Sequence, residues 1–131
     1  MSRENVELVR QAYDEFNETG ALPKDLVHPD AEFDPSRVLP DVGVIRGLPA
    51  YMAALQDYWS SYDDYKAEVE EILDAGDSVV VSIRDSGRPK GSPSLVTNRN
   101  FHVLTLRDGK LLRLDIYLDK AQALEAVGLS E

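Results

Sequence analysis

The residues best suited to chemistry lie in the last third of the chain, where His102 and Asp115 occupy two neighbouring β-rich runs. A carboxylate beside an imidazole holds the ring in one tautomer, and a neutral imidazole near pH 7 takes or gives a proton next to a carbonyl. Arg113 and Tyr117 share a strand face with Asp115 at a period of two, where they could bind an oxyanion. This group predicts acid–base catalysis, with His102 and Asp115 as the catalytic pair.

The pairing of His102 with Asp115 depends on the register of the hairpin that contains both. Asp108-Gly109 between β-rich runs predicts a type I′ turn, because both central residues of that turn need positive φ. A two-residue loop then sets His102 opposite Asp115 and leaves the other face apolar. The apolar pairs are Val103 with Leu114 and Phe101 with Ile116. A type I turn with a Gly109 bulge would instead shift the register by one and separate His102 from Asp115. We favour the first register because it segregates apolar from polar side chains.

These polar residues also have ordinary structural interpretations. A His–Asp hydrogen bond across an exposed sheet face contributes only ~0.2–1 kcal/mol, and Arg113 could form a salt bridge to a loop or a second subunit. An epoxide hydrolase would need a further carboxylate beside Arg113 and Asp115, for which Asp34 and Asp85 are the candidates. His28 fits a turn, and since no His/Asp/Glu spacing is typical of a metal site, we expect no metal.

Aromatic side chains are the candidate walls of a pocket for an apolar substrate. They lie on predicted helices, at the end of one helix, or on the first predicted strand: Tyr13, Phe33, Trp59 and Tyr62. With Arg113 and Tyr117 they form the predicted substrate-binding set. Because helices packed on a sheet also need such residues for their core, packing is the competing interpretation.

Composition limits the class of protein. A chain of 131 residues with 43% hydrophobic content fits one domain with a single core. The absence of cysteine excludes disulfides, a thiolate nucleophile and a cysteine zinc site. A formal charge of −10 argues against nucleic acid and anionic membranes as partners. No stretch approaches the ~18 apolar residues of a membrane span or resembles a signal core, so we expect a cytoplasmic protein.

The hydrophobic pattern changes from helical to β at about residue 62. The predicted elements are, in order, a helix over residues 3–17, a helical turn over 23–27, strands over 31–34 and 44–46, a helix over 49–59, strands over 65–73, 78–84, 95–107 and 110–118, and a last helix capped by Asp119 and reaching residue 127. Helices followed by hairpins predict an α+β domain, with N-terminal helices packed over the concave face of a curved antiparallel sheet. The mouth of such a cone is the natural ligand site.

Several stretches together resemble the SnoaL-like branch of the NTF2-like superfamily, over nearly the whole chain. They are residues 4–13 (ENVELVRQAY), 28–33 (HPDAEF), 74–81 (DAGDSVVV), 107–110 (RDGK) and 121–129 (AQALEAVGL). The resemblance implies one domain over residues 1–131 with the cone fold of polyketide cyclases and ketosteroid isomerases. It also implies an aspartate near the end of the last strand as general acid or base, and the nearest positions are Asp115 and Asp119.

Two functions follow from the residues and the resemblance together. The first is a cofactor-free cyclase or isomerase that acts on a small carbonyl compound by Asp/His proton transfer. The second is a non-catalytic binding or dimerisation module, and an epoxide hydrolase or dehydratase is a further alternative. We also expect a homodimer through the outer sheet face, where Phe101, Val103, Leu114 and Ile116 could meet a partner.

Overall fold

The computed structural model describes residues 2–20 and 22–129. Within them, three helices accompany one six-stranded sheet. The helices are α1 (Ser2–Thr19), α2 (Leu48–Ser60) and α3 (Lys120–Ala126), and a short 3-10 turn spans Lys24–Leu26. The strands are β1 (Val27–Asp34), β2 (Ile45–Arg46), β3 (Tyr62–Ala75), β4 (Ser78–Pro89), β5 (Val96–Arg107) and β6 (Lys110–Tyr117). None of the helices in the described residues is both long and apolar enough to cross a membrane.

The sheet has the strand order β2-β1-β6-β5-β4-β3. The strands β3 to β6 form an antiparallel meander, whereas β1 joins β6 in parallel. The predicted α+β fold is therefore confirmed, with the correction that the sheet is mixed. The largest differences in element bounds are that β1 begins at Val27 rather than residue 31, that β3 begins at Tyr62 rather than residue 65, and that β4 continues to Pro89, into the predicted loop.

Helices α1 and α2 pack on one face of the sheet. The inward stripe of α1 is Val9, Ala12 and Phe16, which are buried at helical spacing. The short helix α3 packs on the opposite face, where Ala123 and Leu124 contact a second group of buried side chains. That group includes Val80, Phe101 and Val103. The main core and the cavity described below therefore lie between the sheet and the first two helices.

The β5–β6 hairpin begins as predicted and then departs from both predicted registers. Asp108 and Gly109 have φ values of 54° and 75°, so the type I′ turn is confirmed. Leu106 pairs with Leu111 but Thr105 pairs with Arg113, so that Leu112 is an extra residue on β6. This β-bulge shifts all later pairs. Beyond it, Leu104 faces Leu114, Val103 faces Asp115, His102 faces Ile116 and Phe101 faces Tyr117.

The predicted pairing of His102 with Asp115 is therefore wrong. A regular hairpin would have placed Arg113 and Asp115 beside His102, in an apolar cavity where charges are costly to bury. The bulge at Leu112 instead puts Leu114 into the cavity wall and turns the charged residues to the other face.

The apolar face proposed for a dimer does not exist as predicted. Phe101 and Val103 are buried against the side of the sheet that α3 covers, whereas Leu114 and Ile116 line the cavity on the opposite side. These four side chains cannot form one interface. The homodimer itself stays a prediction.

Candidate functional site

A cavity of about 640 Å³ lies between the sheet, α1, α2 and the segment 35–44. Its volume is within the range of roughly 300–1,000 Å³ that small-molecule sites occupy. Most of the wall is apolar, with contributions from every one of these elements: Val9, Phe16, Phe33, Val38, Leu55, Trp59, Leu104 and Leu114 are among the lining residues. Phe16 and Trp59 contact each other with ring centroids 4.2 Å apart. A few polar groups interrupt this apolar surface.

The carboxylate of Asp85 is the central polar group of the wall. Asp85 lies on β4 and is only 3% exposed. Its Oδ2 atom accepts hydrogen bonds from the hydroxyls of Tyr65 at 2.8 Å and Tyr58 at 3.2 Å, and its Oδ1 atom accepts from the Asn100 amide at 3.4 Å. Burial, and then the charge of Asp85, raises the pKa of both phenols, so the tyrosines remain protonated donors. A carboxylate has about four acceptor positions, so these three bonds leave one available to a ligand.

Strand β5 adds a polar row to the same face. Asn98, Asn100 and His102 alternate along the strand, and all three line the cavity. The register places Asn98 beside Asp85 on β4. Asn100, which bonds Asp85, is two residues from His102, a distance of about 7 Å along the strand. A molecule with one ring or with two fused rings can therefore reach both the carboxylate of Asp85 and the imidazole of His102.

His102 is joined to α1 by a short hydrogen bond between its Nδ1 atom and the hydroxyl of Tyr13, at 2.6 Å. Desolvation by burial lowers the pKa of His102 to about 4 and raises the pKa of Tyr13. Both groups are therefore neutral at pH 7. If the phenol donates, the Nε2–H of the ring is free; if Nδ1–H donates, the phenolic proton is free. Either arrangement leaves one donor for a ligand oxygen.

A charged cluster stands on the side of β1 and β6 that faces away from the apolar wall. Arg113 donates to Glu32 at 2.8 Å, to both oxygens of Asp115 at 3.0 and 3.1 Å, and to Asp34 at 3.4 Å. The hydrogen bonds to Asp115 raise the pKa of Arg113. Bonds to Ser36 lower the pKa of Asp34, followed by the charges of Arg37 and Arg113. The parallel β1–β6 ladder creates this cluster, because it places Glu32 beside Arg113 and Asp34 beside Asp115.

The structure divides the residues predicted to form a site into two groups. Lining the cavity are Tyr13, Phe33, Trp59 and His102. Not on its wall are Asp115, Arg113, Tyr117 and Tyr62. The Asp–Arg–Asp arrangement expected of an epoxide hydrolase does assemble, as Asp34, Arg113 and Asp115, but outside the cavity wall. Asp119 caps α3 by accepting from the backbone N–H of Gln122 at 3.1 Å.

Sequence reasoning considered Asp85 only as an accessory carboxylate and did not identify Asn98, Asn100, Tyr65 or Arg37 as site residues. A usable signal existed, because Asn98, Asn100 and His102 recur at period two in a strand and must share one face. The apolar run over residues 79–83 similarly puts Asp85 on the face of Ile83. Nothing local in the sequence brings Tyr65 to Asp85, since their contact depends on the register between β3 and β4.

Comparisons with known proteins agree with this architecture. Residues 9–114 match the SnoaL-like domain family. No curated protein matches the sequence. Among solved structures, TerC co-crystallized with polyporic acid is 21% identical, with a TM-score of 0.73 over 95% of this chain and 98% of that chain. A SnoaL-like polyketide cyclase described as putative, from Jannaschia sp. CCS1, is 21% identical, with a TM-score of 0.73 over 99% and 95%. A similarly described polyketide cyclase from Sinorhizobium meliloti is 24% identical, with a TM-score of 0.68 over 89% and 99%. At these identities the likeness concerns the fold.

Proposed function

Since the chain belongs to the SnoaL-like domain family, we propose that its cavity binds a small, mostly apolar carbonyl compound and that the protein is a cofactor-free isomerase or cyclase. The observation that supports this most is the presence of a buried carboxylate and a neutral imidazole on one wall of an apolar cavity. Proton transfer at a carbon next to a carbonyl needs a base for the proton and a donor for the oxygen that becomes negative. Asp85 and His102 are such a pair.

In this mechanism Asp85 is the general base. Its remaining acceptor position receives the proton from the substrate carbon, and its hydrogen bonds from Tyr58 and Tyr65 hold the carboxylate in place. The Tyr13–His102 pair supplies the proton that hydrogen-bonds the developing enolate oxygen. Because the surroundings are apolar, this hydrogen bond is stronger than it would be in water. In an isomerisation, Asp85 then returns the proton to another carbon of the enolate. In a cyclisation, the enolate carbon instead attacks a second carbonyl of the substrate, and Asp85 gives the proton to the alkoxide oxygen that this attack creates.

Exchange of substrate protons with solvent tests this proposal without knowledge of the natural substrate. We would incubate 1-tetralone and 2-cyclohexenone with the protein in deuterated buffer and follow the protons next to the carbonyl by NMR. We expect catalysed exchange with the wild-type protein and a loss of at least about 100-fold in Asp85→Asn, since general bases contribute roughly 10²–10⁴-fold. Asp64→Asn makes the same change at an exposed carboxylate and is the matched control, which should keep the wild-type exchange rate.

Asp115→Asn tests the assignment that the sequence alone suggested. If this variant loses exchange while Asp85→Asn retains it, the base is Asp115 and our mechanism is wrong. If no compound exchanges above the buffer rate although it binds, the catalytic proposal fails.

A non-catalytic binding module is the second candidate, and one observation favours it. The polar groups of the wall already bond one another: Asp85 accepts from three side chains, and Tyr13 pairs with His102. A wall whose polar groups are already hydrogen-bonded to one another can bind a ligand without taking part in a reaction. Trp59 is the one tryptophan of the chain and lines the cavity, so its fluorescence reports binding directly. Quenching of Trp59 without proton exchange would support this candidate over the enzyme.

A further inference from the structure

Arg37 is the one cationic side chain among the described residues that line the cavity. A tight turn after β1 positions it. The carboxylate of Asp34 accepts from the backbone N–H of Ser36 at 3.0 Å and from its hydroxyl at 2.6 Å, and the chain then turns so that Val38 donates to the carbonyl of Pro35. These bonds fix the backbone of Arg37 at the end of β1, where its side chain lines the rim of the cavity next to Asp115 and Tyr117.

The carboxylates near Arg37 bind it only weakly. Its Nη1 atom is 3.5 Å from Asp115 and 3.8 Å from Asp34. Arg113 holds the same two carboxylates at 3.0 to 3.4 Å, and bonds Glu32 as well. Arg113 therefore makes the shorter bonds to both carboxylates, and Arg37 reaches them through its Nη1 atom alone.

The donor groups of Arg37 are available to a ligand. The guanidinium stacks on the ring of Tyr117, with its carbon 4.0 Å from the ring centroid. This stacking fixes the plane of the guanidinium and leaves its edge open. Within the described structure, the Nε and Nη2 atoms have no hydrogen-bond acceptor.

The surroundings of Arg37 are those of a cavity mouth. Leu39, two residues further along, is 47% exposed, and Leu118, which follows Tyr117, is 60% exposed; both line the cavity. The remaining charged groups on the wall are the carboxylates of Asp57 and Asp85, which repel an anion. The wall therefore offers an anion one attractive position, at its rim.

We propose that the ligand is an amphipathic carboxylic acid whose apolar body fills the cavity and whose carboxylate binds the guanidinium edge of Arg37. This inference rests on the proposed function, because it assigns a substrate class to the same cavity. A planar guanidinium suits a carboxylate through two parallel hydrogen bonds. Arg37 then determines both the class of ligand and its orientation, with the acid at the mouth and the carbonyl toward Asp85 and His102.

The test uses 4-oxo-4-phenylbutanoic acid and its methyl ester, which share a ketone and a phenyl ring and differ in charge. Quenching of Trp59 fluorescence measures the Kd of each. For the wild-type protein we expect the acid to bind at least roughly tenfold more tightly than the ester, the size expected of a charge-assisted hydrogen bond. In Arg37→Gln the acid should bind no better than the ester, while the ester keeps its wild-type Kd. Arg84→Gln removes an ion-paired arginine that does not line the cavity and is the matched control.

Each outcome either supports or overturns the assignment of Arg37 as the group that binds the ligand carboxylate. Equal affinities of acid and ester in the wild-type protein, or a preference for the acid that survives in Arg37→Gln, would overturn the assignment of Arg37 while the cavity remains a binding site. If neither probe binds the wild-type protein, both this inference and the proposed function fail. The ester affinity of Arg37→Gln also reports whether that variant is folded. Arg37→Lys keeps the charge without the planar edge and should bind the acid with intermediate affinity.

Discussion

Burial of His102 makes the stability of the protein depend on pH in a predictable direction. The cavity environment lowers the pKa of this imidazole to about 4, whereas in the unfolded chain the pKa returns to about 6.5. Between these values the unfolded state binds a proton that the folded state excludes. The free energy of unfolding therefore decreases as the pH falls through this window. The loss caused by His102 is absent well above pH 6.5 and complete below about pH 4.

The size of the effect follows from the two pKa values. Proton linkage gives a loss of about 2 kcal/mol between pH 7 and pH 5, and of about 3 kcal/mol by pH 4. Carboxylates also titrate near pH 4, so the comparison of pH 7 with pH 5 isolates the histidine better. His102→Gln removes the titrating ring but retains a side chain that can accept from Tyr13. The variant should lose about 2 kcal/mol less than the wild-type protein over this interval.

Urea denaturation at pH 7 and pH 5 measures this difference. The chain has two histidines, so its NMR spectrum contains two imidazole rings and the His102→Gln variant assigns them. The reasoning is refuted if the wild-type protein and the variant lose equal stability between the two pH values, or if the ring of His102 titrates at its ordinary pKa.

Two further changes test local packing and helix capping away from the cavity wall. Gly87→Ala would place a Cβ atom 3.0 Å from the Cβ of Tyr62, so we expect a loss of roughly 1–3 kcal/mol in urea denaturation; Gly43→Ala, with no neighbouring atom within 4 Å, is the control, and equal losses would contradict the prediction. Asp119→Ala removes the cap that accepts from Gln122 and should lower the free energy of unfolding by about 1 kcal/mol, whereas an unchanged thermal midpoint would show that the cap contributes nothing.

The local pattern of the sequence was sufficient for the fold class, but not for the parallel pairing of β1 with β6. Helical spacing in α1, the Asp108-Gly109 turn and the cap at Asp119 each act over a few residues, and the structure contains all three. The packing of helices on a sheet of hairpins follows from the order of these elements along the chain.

The site was harder to predict because it depends on register. Nothing in the sequence around Leu112 distinguishes a bulged strand from a regular one, yet this one residue decides whether Asp115 faces the cavity. The contact of Tyr65 with Asp85 likewise requires the pairing of two long strands, and the position of Arg37 depends on a turn fixed by Asp34. The alternation of side chains along a strand predicts which residues share a face, but it does not predict which face lines the cavity.

The parallel join of β1 to β6 has a consequence for how the chain folds. It pairs Val27 with Leu111 and Asp34 with Asp115, residues that are far apart in sequence. The meander from β3 to β6 can form from consecutive hairpins, but β1 pairs with this meander only after its last strand, β6, has been made. During synthesis on the ribosome, the first strand and the turn that carries Arg37 must therefore wait for nearly the whole chain. We expect the binding cavity to be the last part of the molecule to become complete.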